Sequence, residues 1–140
     1  MQCVFCSIVS GELAAYRVYE DEVVIAFLDR SPATTGHTLV IPRLHVPDIW
    51  NIDRETAAAV MRAAVTVSDN VRRAFDLSGL NLVQSNGALA GQSVFHFHVH
   101  VIPRRVNDGL APIWHGTQAD ESELENVANQ IRRASEYGDE

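Results

Sequence analysis

Residues 94–103 of the chain alternate histidine with apolar side chains, and few other sequence patterns restrict a fold so strongly. Because successive side chains of a β-strand point to opposite faces, the stretch predicts one strand with His96, His98 and His100 on a shared face. The opposite face, which we expect to be buried, is lined by Phe95, Phe97, Val99 and Val101. Pro103 cannot donate a hydrogen bond to a neighbouring strand, so we expect the strand to end there, with the imidazoles near a rim of the sheet.

Length and charge limit the classes of protein that the chain can belong to. The 140 residues predict a single domain over 1–140, with 46% apolar and 21% charged side chains. A net charge of −7 argues against a nucleic-acid polymer as partner, since such binding needs a concentrated basic surface. No apolar run approaches the roughly 20 residues of a membrane span, and Met1 is not followed by a secretory pattern. We therefore expect a cytoplasmic protein that does not bind membranes.

The order of the remaining patterns predicts an α+β fold. β-branched and aromatic runs predict further strands at residues 17–20, 23–28, 37–42 and 80–85. Helical spacing of apolar residues after Asp53, a candidate N-cap, predicts one long helix to Phe75. A possible capping box at residues 122–125 opens a C-terminal helix. We expect an antiparallel sheet of about five strands with these two helices.

The residues alone leave three interpretations of the histidine stretch open. The imidazoles can be polar groups on a solvated face, three ligands of a catalytic zinc ion, or a nucleophile with neighbours that hold substrate and protons. A neutral imidazole, with an ordinary pKa of about 6.5, is a good nucleophile near pH 7. The preceding loop offers donors that suit a phosphate, on Asn86, Gly87, Gly91, Gln92 and Ser93.

Cys3 and Cys6 form a Cys-x-x-Cys pair, which by itself is a weak signal. The pair can be redox-active, half of a metal site, or two buried thiols. A tetrahedral zinc site would need two more ligands, for which His45 and His96 are the candidates.

Taken together, these segments resemble the histidine triad (HIT) family. His96 to Ile102 follows the pattern His-φ-His-φ-His-φ-φ, where φ is apolar. Further blocks similar to the family stand in family order at residues 3–6, 19–21, 26–29, 36–45, 86–87 and 90–96. The resemblance covers about residues 3–105, which form the core, and leaves 106–140 as a tail with its helix. It points to a bacterial-type, Hint-like hydrolase with an N-terminal Cys-x-x-Cys zinc site.

The resemblance implies a role for each matching residue. His98 is the implied nucleophile, and His100 contacts the phosphate and helps to move a proton to the leaving group. His37 matches a fourth supporting histidine, and Asp29 matches the carboxylate that accepts both ribose hydroxyls. The resemblance implies phosphate contacts by Asn86, Gly91, Gln92 and Ser93, and a structural zinc ion held by Cys3, Cys6, His45 and His96. It also implies that the base is sandwiched by apolar residues around Phe5, Ile8, Phe27 and Leu28, for each of which ordinary core packing is the alternative.

The implied reaction is hydrolysis at the α-phosphate of a dinucleoside polyphosphate, nucleoside phosphoramidate or adenylate. A nucleotidyl-His98 intermediate forms, and a nucleoside monophosphate of the AMP type is released. The retained third histidine, His100, favours this branch, because family transferases often carry glutamine there. The alternatives are a nucleotidyltransferase or phosphorylase and a non-catalytic nucleotide-binding module. The resemblance also implies a homodimer.

Overall fold

The structure is a computed structural model that describes residues 3–111 and 114–136. The chain divides into two compact units, the first ending at Leu110 and the second beginning at Ala111. The elements of the first unit are α1 (Val4–Ser10), β1 (Arg17–Glu20), β2 (Val24–Leu28), β3 (Thr38–Pro42), α2 (Arg54–Phe75), β4 (Gly79–Val83) and β5 (Val99–Arg104). A short 3₁₀ helix, Ala88–Ala90, lies between the last two strands.

The five strands form one sheet in the order β1-β2-β3-β5-β4, and every neighbouring pair is antiparallel. This confirms the predicted α+β architecture. Asp53 caps α2 as expected, because its carboxylate accepts a hydrogen bond from the Thr56 N–H at 3.0 Å. The helix ends where Asp76 adopts a positive φ of 51°.

The central strands β2 and β3 are buried on both faces, except for Leu28 at the end of β2. On one face, Val60, Val67 and other small apolar residues of α2 pack against Val99 and Val101 of β5 and against Phe97, which precedes that strand. On the other face, α1 contributes Phe5 and Ile8 to a second cluster with Ile25, Phe27, Leu39 and Ile41. Alternation along β2 divides its residues between the two clusters. The histidines lie on the face that α1 covers.

The histidine strand begins later than predicted, because β5 starts only at Val99. His96 and His98 precede it in an irregular segment, where the Phe97 N–H donates to the carbonyl of Val46 at 2.7 Å. Val46 lies in a connection without strand structure, so no sheet ladder forms at this point. The predicted alternation of faces holds for Phe97, Val99 and Val101, which are buried in the α2 cluster. The predicted burial of Phe95 is wrong, because this residue precedes the strand and its side chain is 49% exposed.

Pro103 lies inside β5 rather than ending it, which corrects the predicted strand boundary. The pairing of β3 with β5 reaches only from Val40 to Thr38, opposite Val101. Beyond that point the Pro103 carbonyl accepts a hydrogen bond from the Thr34 hydroxyl at 2.7 Å. No ladder bond to β3 is lost at Pro103, and the strand continues to Arg104 against β4.

The second unit contains the predicted C-terminal helix, α3 (Glu121–Glu136). The predicted cap is displaced by two residues: Asp120, not Ser122, caps the helix, because its carboxylate accepts from the Ser122 N–H at 3.4 Å and hydroxyl at 3.1 Å. Within the described residues, no helix is both long and apolar enough to cross a membrane.

Gly36 provides a test of packing at the start of β3. Its φ is +94°, and a Cβ added there would lie 2.9 Å from Cε2 of Phe75 and 3.2 Å from Cγ of Pro103. We expect Gly36→Ala to lower the free energy of unfolding by about 2–3 kcal/mol, from backbone strain and the clash together. Denaturant unfolding measures this loss.

Gly11→Ala is the matched control, because Gly11 has a similar φ of +84° with nothing within 4 Å of the added Cβ. Backbone strain alone predicts a loss of about 1 kcal/mol there. Equal losses for the two variants would contradict the packing argument at Gly36.

Candidate functional site

His98 lies between two other aromatic rings on the sheet face that α1 covers. Its centroid is 5.1 Å from that of Phe5 and 4.9 Å from that of His100. Its Nδ1 lies 2.7 Å from the backbone carbonyl of His96. A carbonyl can only accept, so Nδ1 carries the proton and donates it. The Nε2 atom of His98 therefore keeps its lone pair, as a nucleophile requires.

A chain of hydrogen bonds sets the protonation of His37 and His100. The Ala33 N–H donates to Nδ1 of His37 at 2.9 Å, so the proton of that ring is on Nε2. Nε2 of His37 lies 2.8 Å from Nδ1 of His100 and donates to it. The proton of His100 is consequently on its own Nε2, which makes that atom a hydrogen-bond donor.

Burial keeps these rings neutral. It lowers the pKa of His37, and the carboxylate of Asp29, whose Oδ2 is 3.6 Å from His37 Nε2, opposes the shift only in part. Burial also lowers the pKa of His100 to about 4, with the neighbouring His98 and His37 adding to the effect. At neutral pH the site therefore presents an N–H on Nε2 of His100 beside the ring of His98.

Four other side chains meet at the N-terminal end of α1. Nδ1 of His96 lies 3.5 Å from Sγ of Cys3 and 3.6 Å from Sγ of Cys6. Nδ1 of His45 lies 3.3 Å from Sγ of Cys6 and 3.3 Å from Nδ1 of His96. The structure brings together all of the predicted metal ligands, and this group could hold a metal ion.

The spacing of this cluster fits zinc. Tetrahedral zinc, about 2.3 Å from sulfur and about 2.0 Å from nitrogen, separates sulfur from nitrogen by about 3.6 Å and two nitrogens by about 3.3 Å. His96 is fully buried, and its Nε2 donates to the Pro42 carbonyl at 2.8 Å, so its Nδ1 faces the thiols as a lone pair. Burial raises the pKa of the Cys6 thiol, a shift that a bound cation would reverse.

Asp29, His37 and His100 form a second group that could hold a metal ion. The 2.8 Å between the two imidazole nitrogens is the length of a hydrogen bond, and it is shorter than the roughly 3.3 Å between two nitrogen ligands of zinc. We therefore assign this group to the hydrogen-bond chain.

The loop before the triad uses its amides internally. Gln92 is 4% exposed, its Oε1 accepts from the Gly87 N–H at 2.8 Å, and its Nε2 donates to the Pro47 carbonyl at 2.6 Å. Oδ1 of Asn86 accepts from the Ile49 N–H at 2.7 Å. These two side chains brace the loop against residues 47–49, and their predicted contact with phosphate stays a prediction. Gly91, with φ of +94°, and the exposed Ser93 complete the loop.

Comparison with known proteins identifies the family. The HIT domain profile matches residues 10–107. The chain belongs to the HIT family. Protein hit of Bacillus subtilis is 42% identical over 135 residues, which are 94% of this chain and 92% of that protein. Adenylylsulfatase HINT3 of Arabidopsis thaliana is 39% identical over 108 residues, 77% of this chain and 55% of that protein.

A solved structure of the same family is also similar. The Zn-bound histidine triad family protein from Mycobacterium smegmatis matches with a TM-score of 0.75 and 38% identity. The match covers 96% of this chain and 98% of that chain. The structural likeness therefore extends over nearly the whole HIT chain.

The two predicted base contacts, Phe27 and Leu28, lie on opposite faces of β2. Phe27 is 3% exposed and packs against Phe5 at 5.5 Å between centroids, on the histidine side. Leu28 lines a cavity on the α2 side with Val67 and other residues. Neighbouring residues of a strand point to opposite faces, so only Phe27 lies on the histidine face, and the base contact of Leu28 stays a prediction.

Sequence reasoning missed two backbone groups of the HIT site. The N–H of Ala33 and the carbonyl of Pro42 decide which nitrogens of His37 and His96 carry protons. Every residue has such groups, so residue types give no signal for them. Their roles follow only from the loop and strand that place them.

The lowered pKa of His100 predicts a loss of stability in acid. An unfolded histidine titrates near 6.5 and folded His100 at about 4, so the unfolded chain binds more protons between these values. The contribution of a neutral His100 is present above pH about 6.5 and is lost as pH falls to about 4. His100→Asn should reduce the slope of unfolding free energy against pH in this range by up to about 1.4 kcal/mol per unit.

Chemical denaturation at a series of pH values between these limits measures that slope. His115→Asn, which removes an exposed histidine outside both clusters, should leave the slope unchanged. Parallel curves for wild type and His100→Asn would contradict the assignment.

Proposed function

We propose that this HIT-family chain is a nucleotide hydrolase that cleaves at the α-phosphate through a nucleotidyl-His98 intermediate. The observation that carries the proposal is the pair of tautomers, with a lone pair on Nε2 of His98 beside an N–H on Nε2 of His100. A lone pair is needed to attack phosphorus, and a donor is needed for the group that leaves.

In the first step, Nε2 of His98 attacks the α-phosphorus and the bond from phosphorus to the leaving group breaks. The leaving oxygen or nitrogen takes the electron pair of that bond, accepts a hydrogen bond from the N–H on Nε2 of His100, and takes its proton from solvent. Nδ1 of His98 keeps its proton and donates a hydrogen bond to the His96 carbonyl, 2.7 Å away. That hydrogen bond stabilises the positive charge that the ring gains on phosphorylation.

In the second step, water attacks the same phosphorus and the bond to His98 breaks. The electron pair of that bond returns to Nε2 of His98, the water gives its proton to solvent, and a nucleoside monophosphate leaves, while His100 keeps its N–H. His37 holds His100 in position throughout through the 2.8 Å hydrogen bond between the rings. The donors and acceptors at the end of the cycle match those at the beginning.

The remaining substrate contacts follow from the same placement. Asp29 is partly exposed directly after β2, and we propose that its carboxylate accepts the ribose hydroxyls. Phe27, on the histidine face, is the apolar neighbour for a purine base, and the loop with Gly91 and Ser93 provides donors for phosphate. The name of the Arabidopsis relative, adenylylsulfatase, supports an adenylate-type substrate. Homodimerisation and a cytoplasmic location belong to this proposal as well.

We propose that Cys3, Cys6, His45 and His96 hold a structural zinc ion. Zinc with four protein ligands supplies no open position for substrate, and its binding adds folding free energy. Here it would join α1 to the segment just before the nucleophile. The Zn-bound relative from Mycobacterium smegmatis supports this part of the proposal.

His98→Asn tests the nucleophile. We expect turnover to fall at least 10³-fold, because no lone pair of suitable geometry remains, while the Kd for adenosine 5′-monophosphate changes less than about threefold. The substrate panel covers a dinucleoside polyphosphate, a phosphoramidate and an adenylate, with products identified by mass. Mass spectrometry of wild-type protein quenched in alkali, where a phosphorus–nitrogen bond survives, should show the nucleotide adduct.

His115→Asn is the control for this variant and should keep full activity. Retained turnover in His98→Asn would exclude the proposed mechanism. A product that appears only with added phosphate or another acceptor would instead indicate a phosphorylase or transferase.

Metal analysis tests the zinc site. Purified protein should contain one zinc ion per chain, and Cys6→Ser and His45→Asn should lose most of it and melt at least 5 °C lower. His115→Asn should keep both the metal and the melting temperature. Stoichiometric zinc in Cys6→Ser, or metal-free wild-type protein with an unchanged melting temperature, would contradict the assignment.

A further inference from the structure

Phe5 stands between the two cysteines of the metal cluster on α1. Cys3 precedes the helix and Cys6 lies within its first turn, so the chain is held by the cluster two residues before Phe5 and one residue after it. Its side chain is only 6% exposed and enters the apolar cluster beneath α1. Any constraint on α1 at the cysteines is therefore a constraint on the position of Phe5.

The ring of Phe5 contacts the histidine that we propose as nucleophile. Its plane is at 88° to that of His98, with 5.1 Å between centroids, and at 70° to that of His96, with 5.9 Å. Edge-to-face pairs with centroids roughly 4.5–7 Å apart are a favoured arrangement of aromatic rings. On its other side Phe5 meets Phe27 at 73° and 5.5 Å, so its own orientation is fixed as well.

His98 needs such a contact. The bond from Nδ1 to the His96 carbonyl fixes one edge of the ring but leaves rotation about that bond. Phe5 and His100 flank the ring with centroids 5.1 Å and 4.9 Å away, and together they restrict this rotation. The rotation matters because it moves Nε2, and a displacement of about 1 Å at a reacting atom can cost about 10²-fold in rate.

We propose that Phe5 is a positioning residue that transmits the constraint of the Cys3–Cys6–His45–His96 cluster to the ring of His98. The inference rests on the proposed nucleophilic function of His98. It gives the metal cluster a role in the reaction rate although the cluster touches no reacting atom. It also explains why one ligand, His96, and the nucleophile are both in contact with the same phenylalanine.

The competing role for Phe5 is an apolar contact with the base of the nucleotide, and the two roles predict different kinetics. Loss of a base contact weakens binding of substrate and transition state alike, so it raises KM and leaves kcat. Loss of positioning acts on the step in which the bond from Nε2 to phosphorus forms. That loss lowers kcat and leaves the affinity for nucleotide.

Phe5→Leu tests this difference. We expect kcat and the single-turnover rate of adduct formation to fall at least tenfold, with the Kd for adenosine 5′-monophosphate within twofold of wild type. Phe75→Leu, at the exposed end of α2, is the matched control and should keep both values. Phe5→Met, whose flexible side chain fills irregular gaps in a core, replaces Phe5→Leu if that variant melts below the assay temperature.

Two results would overturn the proposal: an unchanged kcat in a folded Phe5 variant, or a raised Kd with kcat retained. Failure of the proposed function is distinguishable, because it would appear as turnover in His98→Asn, whatever Phe5→Leu does.

The link to the metal cluster is tested by a double-mutant cycle. Cys6→Ser alone should lower kcat at least tenfold and leave the Kd for adenosine 5′-monophosphate unchanged. Both changes release the same ring. The kcat of the double variant Cys6→Ser, Phe5→Leu should therefore lie within about twofold of the kcat of the slower single variant. Multiplied effects would show that the cluster and Phe5 act independently and would overturn the transmitted constraint.

Discussion

The buried imidazole of His96 is the interaction on which the rest of the site depends. It is fully buried, its Nε2 donates to the Pro42 carbonyl at 2.8 Å, and its Nδ1 lies 3.5 Å from the sulfur of Cys3. Its own carbonyl accepts the proton of His98. These contacts connect the end of β3, the start of α1 and the nucleophile through one residue. Loss of a partner would leave a buried polar group without a hydrogen bond, at a cost of about 1–3 kcal/mol.

Burial also decides how the site handles protons. Because the pKa values of His37, His96 and His100 are all lowered by burial, hydrogen bonds rather than bulk pH set which nitrogens carry protons near neutrality. The negative charge of a phosphate beside His100 would raise its pKa, since an opposite charge favours the protonated form. Substrate binding itself would thus strengthen the donor that the leaving group needs.

The sequence predicted the faces of the histidine stretch better than its secondary structure. Alternation of apolar and polar residues predicts which side chains share a face. From His96 to Val101 this prediction holds, although His96 and His98 lie outside β5. The same rule, applied to β2, would have separated Leu28 from Phe27. The sequence could not predict that the Gln92 amide donates to the Pro47 carbonyl, because a donor that suits phosphate suits a backbone carbonyl equally well.

The sheet and the metal cluster divide the task of placing the histidines. His100 lies opposite Leu39 of β3 and Val83 of β4, and a slip of one residue would turn its ring to the α2 face. Burial of Val99 and Val101 against α2 opposes that slip, so the core fixes His100. His96 and His98 precede β5, so strand pairing does not fix their positions. They need a constraint from outside the sheet, and the contacts of α1 with both rings are positioned to supply it.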